Sequence, residues 1–515
     1  MNTAPLSKAI QFGQILSSAF WNVNCKWRNA VFFSASGKTD ENACPVLYIV
    51  TGEALPYAGI VHKSHLTLNC GNVKIQTGKN RNLITLNRGE EVTEQFIYDS
   101  FLDILREELV PAMGCTEPIA VAYAAAIARD TLGRMPERTE LIVSGNIIKN
   151  VKSVVVPNTG GRKGLRTAVA AGLCFGQADK ELEVISDATE EDLKGLDAYL
   201  ETADITMKEA ESEHPFDLAV RLFAGVDTSY VHIVAHHTNV VRIEINNQVL
   251  LDKPFSNETI QAPENRKLLT VERIVEFANI VDIEDVRPIL QRQIDYNMAI
   301  AKEGLQGDYG ANIGKILLLS YGNSVHNRAK AWAAAGSDAR MDGCELPVVI
   351  NSGSGNQGIT TSIPVIIYAH DCGVTDDQLF RALVISNLVT IHLKTGIGSL
   401  SAYCGATSAG AGAGAGICYL YGGEYDQIAH TIINALAINS GMICDGAKAS
   451  CAAKIASAVE SGLLGMRMYM HDRSFQGGDG IVLQGVENTI RAVSSIARDG
   501  MRGTDKEVIK LMMSS

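Results

Sequence analysis

The sequence predicts a mostly α-helical protein with one large helical domain and a smaller α+β subdomain. From Val271 to the C-terminus, long segments rich in Ala, Ile and Leu are separated by Gly-rich loops, as in packed helices. Between Lys180 and Thr270, short segments of alternating apolar and polar residues indicate β-strands beside an acidic helix. The chain has 515 residues, 46% of them hydrophobic, which is enough to bury more than one core. We therefore expect several domains, which begin at about residues 92, 180 and 271.

Residues 92–179 form the first part of the predicted core. Apolar residues recur at helical spacing after an N-cap at Thr93, and Ile119–Ala128 follows as an Ala-rich helix. A strand is predicted at Thr139–Val143, and a helix of small residues at Leu165–Leu173 ends the segment.

The motif Gly-Cys-Thr-Glu-Pro at 114–118 places Cys115 immediately before the Ala-rich helix. We expect Thr116 to cap this helix and Pro118 to lie in its first turn. Because the positive end of a helix dipole favours a thiolate, the sequence predicts a lowered pKa for Cys115 and a role as base or nucleophile. A turn cysteine without chemical function is the alternative interpretation.

Residues 180–270 are predicted as the small α+β subdomain. Asn246 and Asn247 lie between two alternating runs and fit a two-residue hairpin turn. His236 and His237 end the first strand and are interpreted as polar loop residues rather than metal ligands. The predicted elements are a helix at Glu190–Leu200 and strands at Tyr230–Ala235, Val240–Ile245 and Gln248–Leu251.

Three cysteines of the segment 271–515 are candidates for a shared site. Cys444 and Cys451 are seven residues apart across a loop that enters a helix, and Cys404 precedes Gly405 in a Gly-rich segment. Iron–sulfur clusters take Cys thiolates, and glycines leave room for backbone N–H groups near the sulfur atoms. Spacing alone does not distinguish such a site from three small buried residues, whereas the lack of a CxxC pair disfavours zinc.

Two Gly-rich loops are candidate anion sites. Residues 351–358 could surround a carboxylate or phosphate with backbone amides, although a plain connecting loop has the same composition. This loop also resembles the Ser-Gly-Asn loop of pyridoxal-phosphate enzymes that perform β-elimination. Their Schiff-base lysine would be Lys330, whose sequence setting is that of an exposed helix flank. In the second loop, 157–164, Arg162 and Lys163 could pair with a carboxylate, but a solvated turn is equally compatible.

Composition excludes several classes of partner. A net charge of −12 and a pI near 5.5 leave no basic surface for nucleic acid. The longest uncharged stretch, Thr395–Gly423, is rich in Gly, Ala, Ser and Thr, so it fits buried backbone in close contact rather than a membrane span. Its repeat Ala409–Gly416 suits either tight helix packing or a cluster close to the backbone. Eleven dispersed cysteines without a secretory signal predict a reducing, cytoplasmic location.

Residues 1–91 differ from the rest of the chain. They contain aromatic and Asn-rich stretches, have weak periodicity and carry no motif. Met1 is the only methionine before Met113, and a helix-like run opens at Val92. Our hypothesis is that translation begins at Val92 and that residues 1–91 are upstream sequence.

Four motifs together resemble the L-cysteine desulfidase family, from about Val92 to the C-terminus. They are Gly-Cys-Thr-Glu-Pro at 114–118, the loop 351–358, Cys-Gly at 404–405 and Met-Ile-Cys-Asp-Gly-Ala-Lys at 442–448. That family is similar to the α domain of iron–sulfur L-serine dehydratases, where a cysteine, a Met-x-Cys-Asp element and a closely following cysteine hold the cluster.

The resemblance implies that Cys404, Cys444 and Cys451 hold a [4Fe-4S] cluster with one open iron, and that Cys115 accepts a proton. It implies a lyase that converts L-cysteine to hydrogen sulfide, ammonia and pyruvate. Dehydration of L-serine by the same cluster chemistry, a pyridoxal-phosphate lyase and an inactive binding or structural homologue are the alternatives. The expected partner is a small amino acid, and a homodimer is a compatible assembly. Its substrate ligands are expected at Thr116, Asn158, Thr159, Ser352, Ser354 and Asn356.

Overall fold

The computed structural model describes residues 47–52, 61–66, 93–212, 214–254, 264–398 and 400–514. The chain divides into two units, Met1–Thr93 and Glu94–Ser515. In the first unit, β1 (Leu47–Gly52) pairs antiparallel with β2 (Val61–Leu66). The hypothesis that residues 1–91 are upstream sequence lies outside what the described residues test.

The second unit is mostly α-helical, which confirms the predicted fold class. Side chains fix several helix starts: Thr189 and Thr375 each form a capping box with the residue three positions later. The helices of the N-terminal half are α1 (Glu94–Glu108), α2 (Thr116–Leu132), α3 (Gly145–Val151), α4 (Gly164–Phe175) and α5 (Glu190–Thr202). Those of the C-terminal half are α6 (Val271–Ile280), α7 (Ile283–Gln306), α8 (Ile313–Tyr321), α9 (Val325–Met341), α10 (Gly355–Cys372), α11 (Asp376–Ile397), α12 (Gly405–Leu420), α13 (Tyr425–Ile438), α14 (Cys451–Met470), α15 (Val486–Ser495) and α16 (Arg502–Ser514).

The β-strands of the second unit form one six-stranded sheet and one short pair. The sheet has the order β5-β4-β6-β7-β8-β9, in which β4 and β5 are parallel and all other neighbours are antiparallel. Asn246 and Asn247 adopt φ of 51° and 65° between β8 and β9, which confirms the predicted hairpin turn. Since β4 precedes residue 180, the sheet combines the predicted segments 92–179 and 180–270. The strands are β3 (Pro111–Met113), β4 (Arg138–Val143), β5 (Asp204–Glu209), β6 (Asp217–Ala224), β7 (Asp227–Val234), β8 (Val240–Ile245), β9 (Gln248–Asp252) and β10 (Pro347–Val349).

Helix α12 lies at the centre of the helical half, where it packs against α10, α11, α13 and α14. Its sequence is almost entirely Gly, Ala, Ser and Thr, and residues 406–418 are all buried. A Cβ atom at Gly410 would overlap the backbone carbonyl of Ala458 in α14. The repeat therefore serves tight helix packing, the first of the two roles considered for it. None of the described helices has the length and apolar content that a membrane span requires.

The short antiparallel pair of β3 with β10 connects the two halves of the unit. Met113 pairs with Pro347, and Pro111 pairs with Val349. Cys115 follows β3 closely and the loop 351–358 follows β10. The pairing of these two strands therefore fixes the position of Cys115 relative to the loop.

The C-terminal helix α16 is attached to α3 by a buried ion pair. Lys149 Nζ donates to Asp505 Oδ1 at 2.6 Å, and the two side chains are 1% and 15% exposed. Lys152 also donates to the backbone carbonyl of Met512. Because an uncompensated buried ammonium is strongly unfavourable, Asp505 holds the last helix in place.

Replacing Gly410 by Ala tests the tight packing of α12. We expect Gly410→Ala to lower the free energy of unfolding by about 1 to 3 kcal/mol, because the new methyl group forces α12 and α14 apart. Gly195→Ala is the matched control: Gly195 lies within α5, and no atom of the described residues is within 4 Å of the place a methyl group would occupy. There the change should stabilise by up to about 1 kcal/mol through helix propensity. Urea unfolding followed by circular dichroism measures both, and stabilisation by Gly410→Ala would contradict the packing argument.

A second prediction concerns the ion pair of α16. We expect Asp505→Asn to lower the free energy of unfolding by about 2 to 3 kcal/mol, because the charge of Lys149 is left buried without a partner. Glu507→Gln on the same helix is the control, since its pair with Lys510 is exposed and 3.8 Å long. That change should cost less than about 1 kcal/mol. If urea unfolding shows the same loss of unfolding free energy for both variants, the buried ion pair contributes no more to stability than the exposed one.

Candidate active site

A cavity of about 110 Å³ lies where the starts of α2, α10, α12 and α14 meet. The four predicted reactive thiols, Cys115, Cys404, Cys444 and Cys451, all line it. Of the described residues around a larger cavity of about 270 Å³ on the sheet, none is a cysteine or a predicted site residue. We therefore take the smaller cavity as the candidate active site. Its other polar side chains include Glu117, Lys149, Asn150, His237, Arg340, Ser352, Ser354, Asn356, Gln357, Lys394 and Lys454.

Backbone pairing brings Cys404 and Cys444 together although they are forty residues apart. Tyr403 and Ile443 form an isolated antiparallel bridge. The N–H of Cys404 donates to the carbonyl of Met442 at 3.0 Å, and the N–H of Cys444 donates to the carbonyl of Ala402 at 2.6 Å. Cys404 caps α12 and Cys451 is the first residue of α14, so two of the three thiols lie at helix starts.

A backbone N–H group donates to each of the three sulfur atoms, as the neighbouring glycines led us to expect. Such donors stabilise thiolates and are common around iron–sulfur clusters. The donors are those of Ala406 to Cys404, Gly446 to Cys444 and Lys448 to Cys451.

The side chains of Cys404 and Cys444 are hydrogen-bonded to each other. Their mutual hydrogen bond lowers the pKa of Cys444 to about 6 against the effect of burial, and the charges of Lys149 and Lys454 act in the same direction. The same hydrogen bond, together with burial, raises the pKa of Cys404. Within the pair, Cys444 is therefore the thiol that ionises more readily.

The donor set fits an iron–sulfur cluster better than a single metal ion. Three thiols from separate segments face one cavity, each with a backbone donor, and buried lysines supply positive charge beside them. Within the described residues, no group of three or more His, Cys, Asp and Glu side chains is close enough to hold one ion. A cluster distributes its thiolates over several irons, so its ligands need not approach one another that closely.

The start of α2 differs from the prediction by one residue. Cys115 itself is the N-cap, with φ −79° and ψ 129°, and Thr116 is the first helical residue. Gly114 precedes them with φ of 53°, and a Cβ there would overlap the ring of Pro157. Glycine is therefore required at position 114, and the turn places Cys115 in the protein interior.

The predicted lowering of the Cys115 pKa is wrong. Burial and the neighbouring carboxylate of Glu117 raise the pKa of Cys115 well above its usual value, although the charge of Arg340 opposes them. The Cys115 thiol donates to Glu117 Oε2 at 3.0 Å. The helix-dipole argument failed because desolvation and a like charge outweigh a partial charge at a helix end.

Glu117 is a buried carboxylate held by three donors. Besides Cys115, Asn150 Nδ2 donates to Oε1 at 2.8 Å and Thr116 Oγ1 to Oε2 at 3.2 Å. Burial acts against ionisation, but the His237 ring and the hydrogen bond from Cys115 hold the pKa of Glu117 below its usual value. Burial also lowers the pKa of His237, so the ring is neutral near pH 7. We therefore attribute the lowered pKa of Glu117 mainly to its hydrogen bonds and to the charge of Arg340.

The loop 351–358 supplies one wall of the cavity, where Ser352, Ser354 and Asn356 all line it. Ser352 and Gly353 adopt φ of 49° and 75°, which turns the chain into the start of α10. Thr116 lies outside the lining, and its single hydroxyl proton is shared between Glu117 Oε2 and the carbonyl of Gly353, which is 3.0 Å away. It connects the loop to the Cys115 motif.

The structure does not bring Asn158 and Thr159 to the cavity. Asn158 Nδ2 donates to the carbonyl of Ile185 at 2.9 Å, and Thr159 Oγ1 donates to that of Val156 at 2.7 Å. Arg162 in the same loop pairs with Asp197. These contacts hold the loop, and neither Asn158 nor Thr159 lines the cavity.

Lys330 also lies away from the cavity. Its ammonium donates to Glu460 Oε2 at 2.7 Å, and the same oxygen contacts His326 Nε2 at 2.8 Å. An ion-paired lysine outside the cavity is unsuited to the Schiff-base role that a pyridoxal-phosphate lyase requires.

Several cavity residues were missed or undervalued from the sequence, among them Lys394, Lys149, Arg340 and His237. Burial lowers the pKa of Lys394 to about 8, although the charges of Cys444 and Cys404 act in the opposite direction. Lys394 is the one charged residue in the otherwise uncharged last turns of α11, and this isolation could have identified it as a functional residue from the sequence. Lys149, Arg340 and His237 reach the cavity only through long-range packing. His237 does so because β7 ends at Val234 and Ala235 turns with φ of 74°.

Comparison with known proteins matches residues 179–510 to the family model of the serine dehydratase alpha chain. The chain is 55% identical over 417 residues to a UPF0597 protein of Desulfitobacterium hafniense, which covers 81% of this chain and 97% of the relative. A UPF0597 protein of Lachnoclostridium phytofermentans is 50% identical over 418 residues, covering 81% and 100% of the two chains. These names state no substrate.

The match spans more than half of the chain and contains the three clustered thiols, whereas Cys115 lies before it. The UPF0597 relatives align over nearly their whole length. The predicted relation to the α domain of serine dehydratases is thereby confirmed. The chain belongs to the serine dehydratase alpha chain family.

Proposed function

We propose that the protein is an iron–sulfur-dependent lyase that eliminates sulfide from L-cysteine and yields hydrogen sulfide, ammonia and pyruvate. Membership of the serine dehydratase alpha chain family indicates an enzyme of the lyase kind. The observation that carries the finer proposal is that Cys404, Cys444 and Cys451 line one cavity with Cys115. Three thiols suit a cluster, whereas the fourth, Cys115, has a different environment and is proposed to have a different role.

Cys404, Cys444 and Cys451 would hold a [4Fe-4S] cluster in the cavity. When bound, such a cluster supplies an iron without a protein thiolate, which acts as a Lewis acid toward the β-substituent of the substrate. Lys149, Lys394 and Lys454 would offset part of the negative charge of the thiolates.

Cys115 is proposed as the base that takes the Cα proton. The thiol proton must leave before Cys115 can act as a base, and Glu117 Oε2, 3.0 Å away, is the acceptor to which the thiol donates. Because the pKa of Cys115 is raised and that of Glu117 is lowered, this transfer is uphill and the thiolate is the minor state of the pair. Because its pKa is raised, that thiolate is a stronger base than an ordinary cysteine thiolate, and a weakly acidic Cα–H requires a strong base. Asn150 and Thr116 hold Glu117 in position for this transfer.

Ser352, Ser354 and Asn356 are the proposed substrate ligands that remain on the cavity. They stand at the start of α10, where backbone N–H groups and short polar side chains position a small zwitterion. Dehydration of L-serine at the same site is the second candidate, because the matched family model is that of a serine dehydratase. Thiol and hydroxyl substrates differ by few contacts, so turnover decides between them.

Anaerobic turnover tests the proposed function. We expect purified protein to release sulfide and pyruvate in equal amounts from L-cysteine, with a smaller kcat/KM for L-serine. Sulfide is measured by methylene blue formation and pyruvate by lactate dehydrogenase coupling. Pyruvate from L-serine without sulfide from L-cysteine would establish the second candidate, and no turnover of either would refute both.

Single thiol replacements separate cluster binding from proton transfer. We expect Cys444→Ala to lose both iron and activity, whereas Cys115→Ala keeps about four irons per chain and loses roughly 10²- to 10⁴-fold in kcat. Cys372→Ala is the control, because Cys372 is exposed and lies outside the cavity lining. Iron analysis and the sulfide assay are made on the same anaerobic samples. Full activity of Cys115→Ala would rule out its role as base.

A further inference from the structure

Arg340 is a buried cation in the cavity that the proposed chemistry does not yet use. It lies in the last turn of α9 and is 2% exposed. Its guanidinium is near enough to Cys115 to act against the burial that raises the pKa of that thiol. Arg340 therefore stands beside the proposed base.

No carboxylate of the described residues lies within ion-pair distance of this guanidinium, and Glu117 interacts with its charge only at longer range. Arg340 Nε is buried without a hydrogen-bond partner among the described residues. Lys149 and Lys454, also on the cavity, are paired with Asp505 and Asp445. Glu117 is the one carboxylate among the described lining residues, and its oxygens are taken by Cys115, Asn150 and Thr116. A buried guanidinium in this state calls for an anionic ligand.

The start of α10 completes an anion subsite around Arg340. A Cβ atom at Gly355 would overlap Arg340 Nε, so glycine lets the guanidinium lie against the first turn of the helix. Ser354, the N-cap, makes no side-chain capping bond, and the first N–H groups of an 18-residue helix lie beside it. A planar guanidinium and a helix N-terminus together match the two oxygens of a carboxylate.

Acceptors for an ammonium group lie in the same first turn of α10. The side-chain oxygens of Asn356 and Gln357 are buried without partners among the described residues, and both side chains line the cavity. Gln357 is itself 5% exposed. A donor-rich end and an acceptor-rich end so close together suit a small zwitterion rather than a simple anion.

We propose that Arg340 binds the carboxylate of an α-amino acid in this cavity, while Asn356 and Gln357 accept hydrogen bonds from its ammonium group. The proposal deepens the proposed function, on which its choice of ligand rests. It assigns Arg340 as the residue that selects substrates bearing a free α-carboxylate and holds the Cα–H toward Cys115.

Binding of an unreactive amino acid tests this assignment without turnover. The probes are L-alanine, which carries the carboxylate, and L-alaninamide, which lacks it, titrated calorimetrically into full-length anaerobic protein. We expect wild type to prefer L-alanine and Arg340→Gln to weaken L-alanine binding about 10- to 100-fold, with L-alaninamide unchanged. Arg340→Lys should be intermediate, because it keeps the charge but loses the planar fork.

Arg328→Gln is the matched control, since Arg328 lies on the same helix but pairs with Asp371 at the surface. It should leave both affinities unchanged. If Arg340→Gln fails to fold, the preference of the Arg340→Lys protein for L-alanine over L-alaninamide is the deciding measurement. An unaltered preference in a folded Arg340 variant, or no preference in wild type, would overturn the assignment. If wild type releases no sulfide yet loses its preference on Arg340 substitution, the proposed function fails and the carboxylate site stands.

Discussion

The close packing of α12 against α14 is the constraint on which the candidate site depends. Contacts such as Gly410 against Ala458 allow the two helices to meet backbone to backbone. Cys404 caps the first helix and Cys451 begins the second, so the distance between the helix axes also sets the separation of these two thiols. Cys444 is then fixed by the backbone bridge to the segment before α12. The glycines of α12 from Gly410 onward thus support the geometry of the site although they do not line the cavity.

Charged side chains are distributed unevenly around the cavity, and different parts of the fold hold each of them in place. The thiols face lysines, of which Lys149 is anchored by the C-terminal helix and Lys394 is buried within α11. Across the cavity, Glu117 is held as an anion beside Cys115 by neutral donors. The surroundings lower the pKa of Cys444 and raise that of Cys115. Two residues of the same type can therefore serve different roles, Cys444 as a cluster ligand and Cys115 as a base.

Local patterns in the sequence predicted much of this architecture, and long-range packing supplied the rest. Helical periodicity gave the fold class, and the Asn246-Asn247 pair gave the hairpin. The helix-start argument for Cys115 gave the wrong direction of the pKa shift, because burial and the position of Glu117 depend on contacts outside the motif. Arg340 could not be recognised from its Ala-rich surroundings, since its partnerless state is a property of the assembled cavity.

The central claim is that three thiols hold the iron–sulfur group while Cys115 stands apart from it. Anomalous scattering at the iron absorption edge, recorded from crystals of anaerobically purified protein, tests this directly. The account predicts iron density bounded by Cys404, Cys444 and Cys451, with Cys115 outside bonding distance. Absence of iron from that position in active protein, or an iron bonded to Cys115, would contradict it.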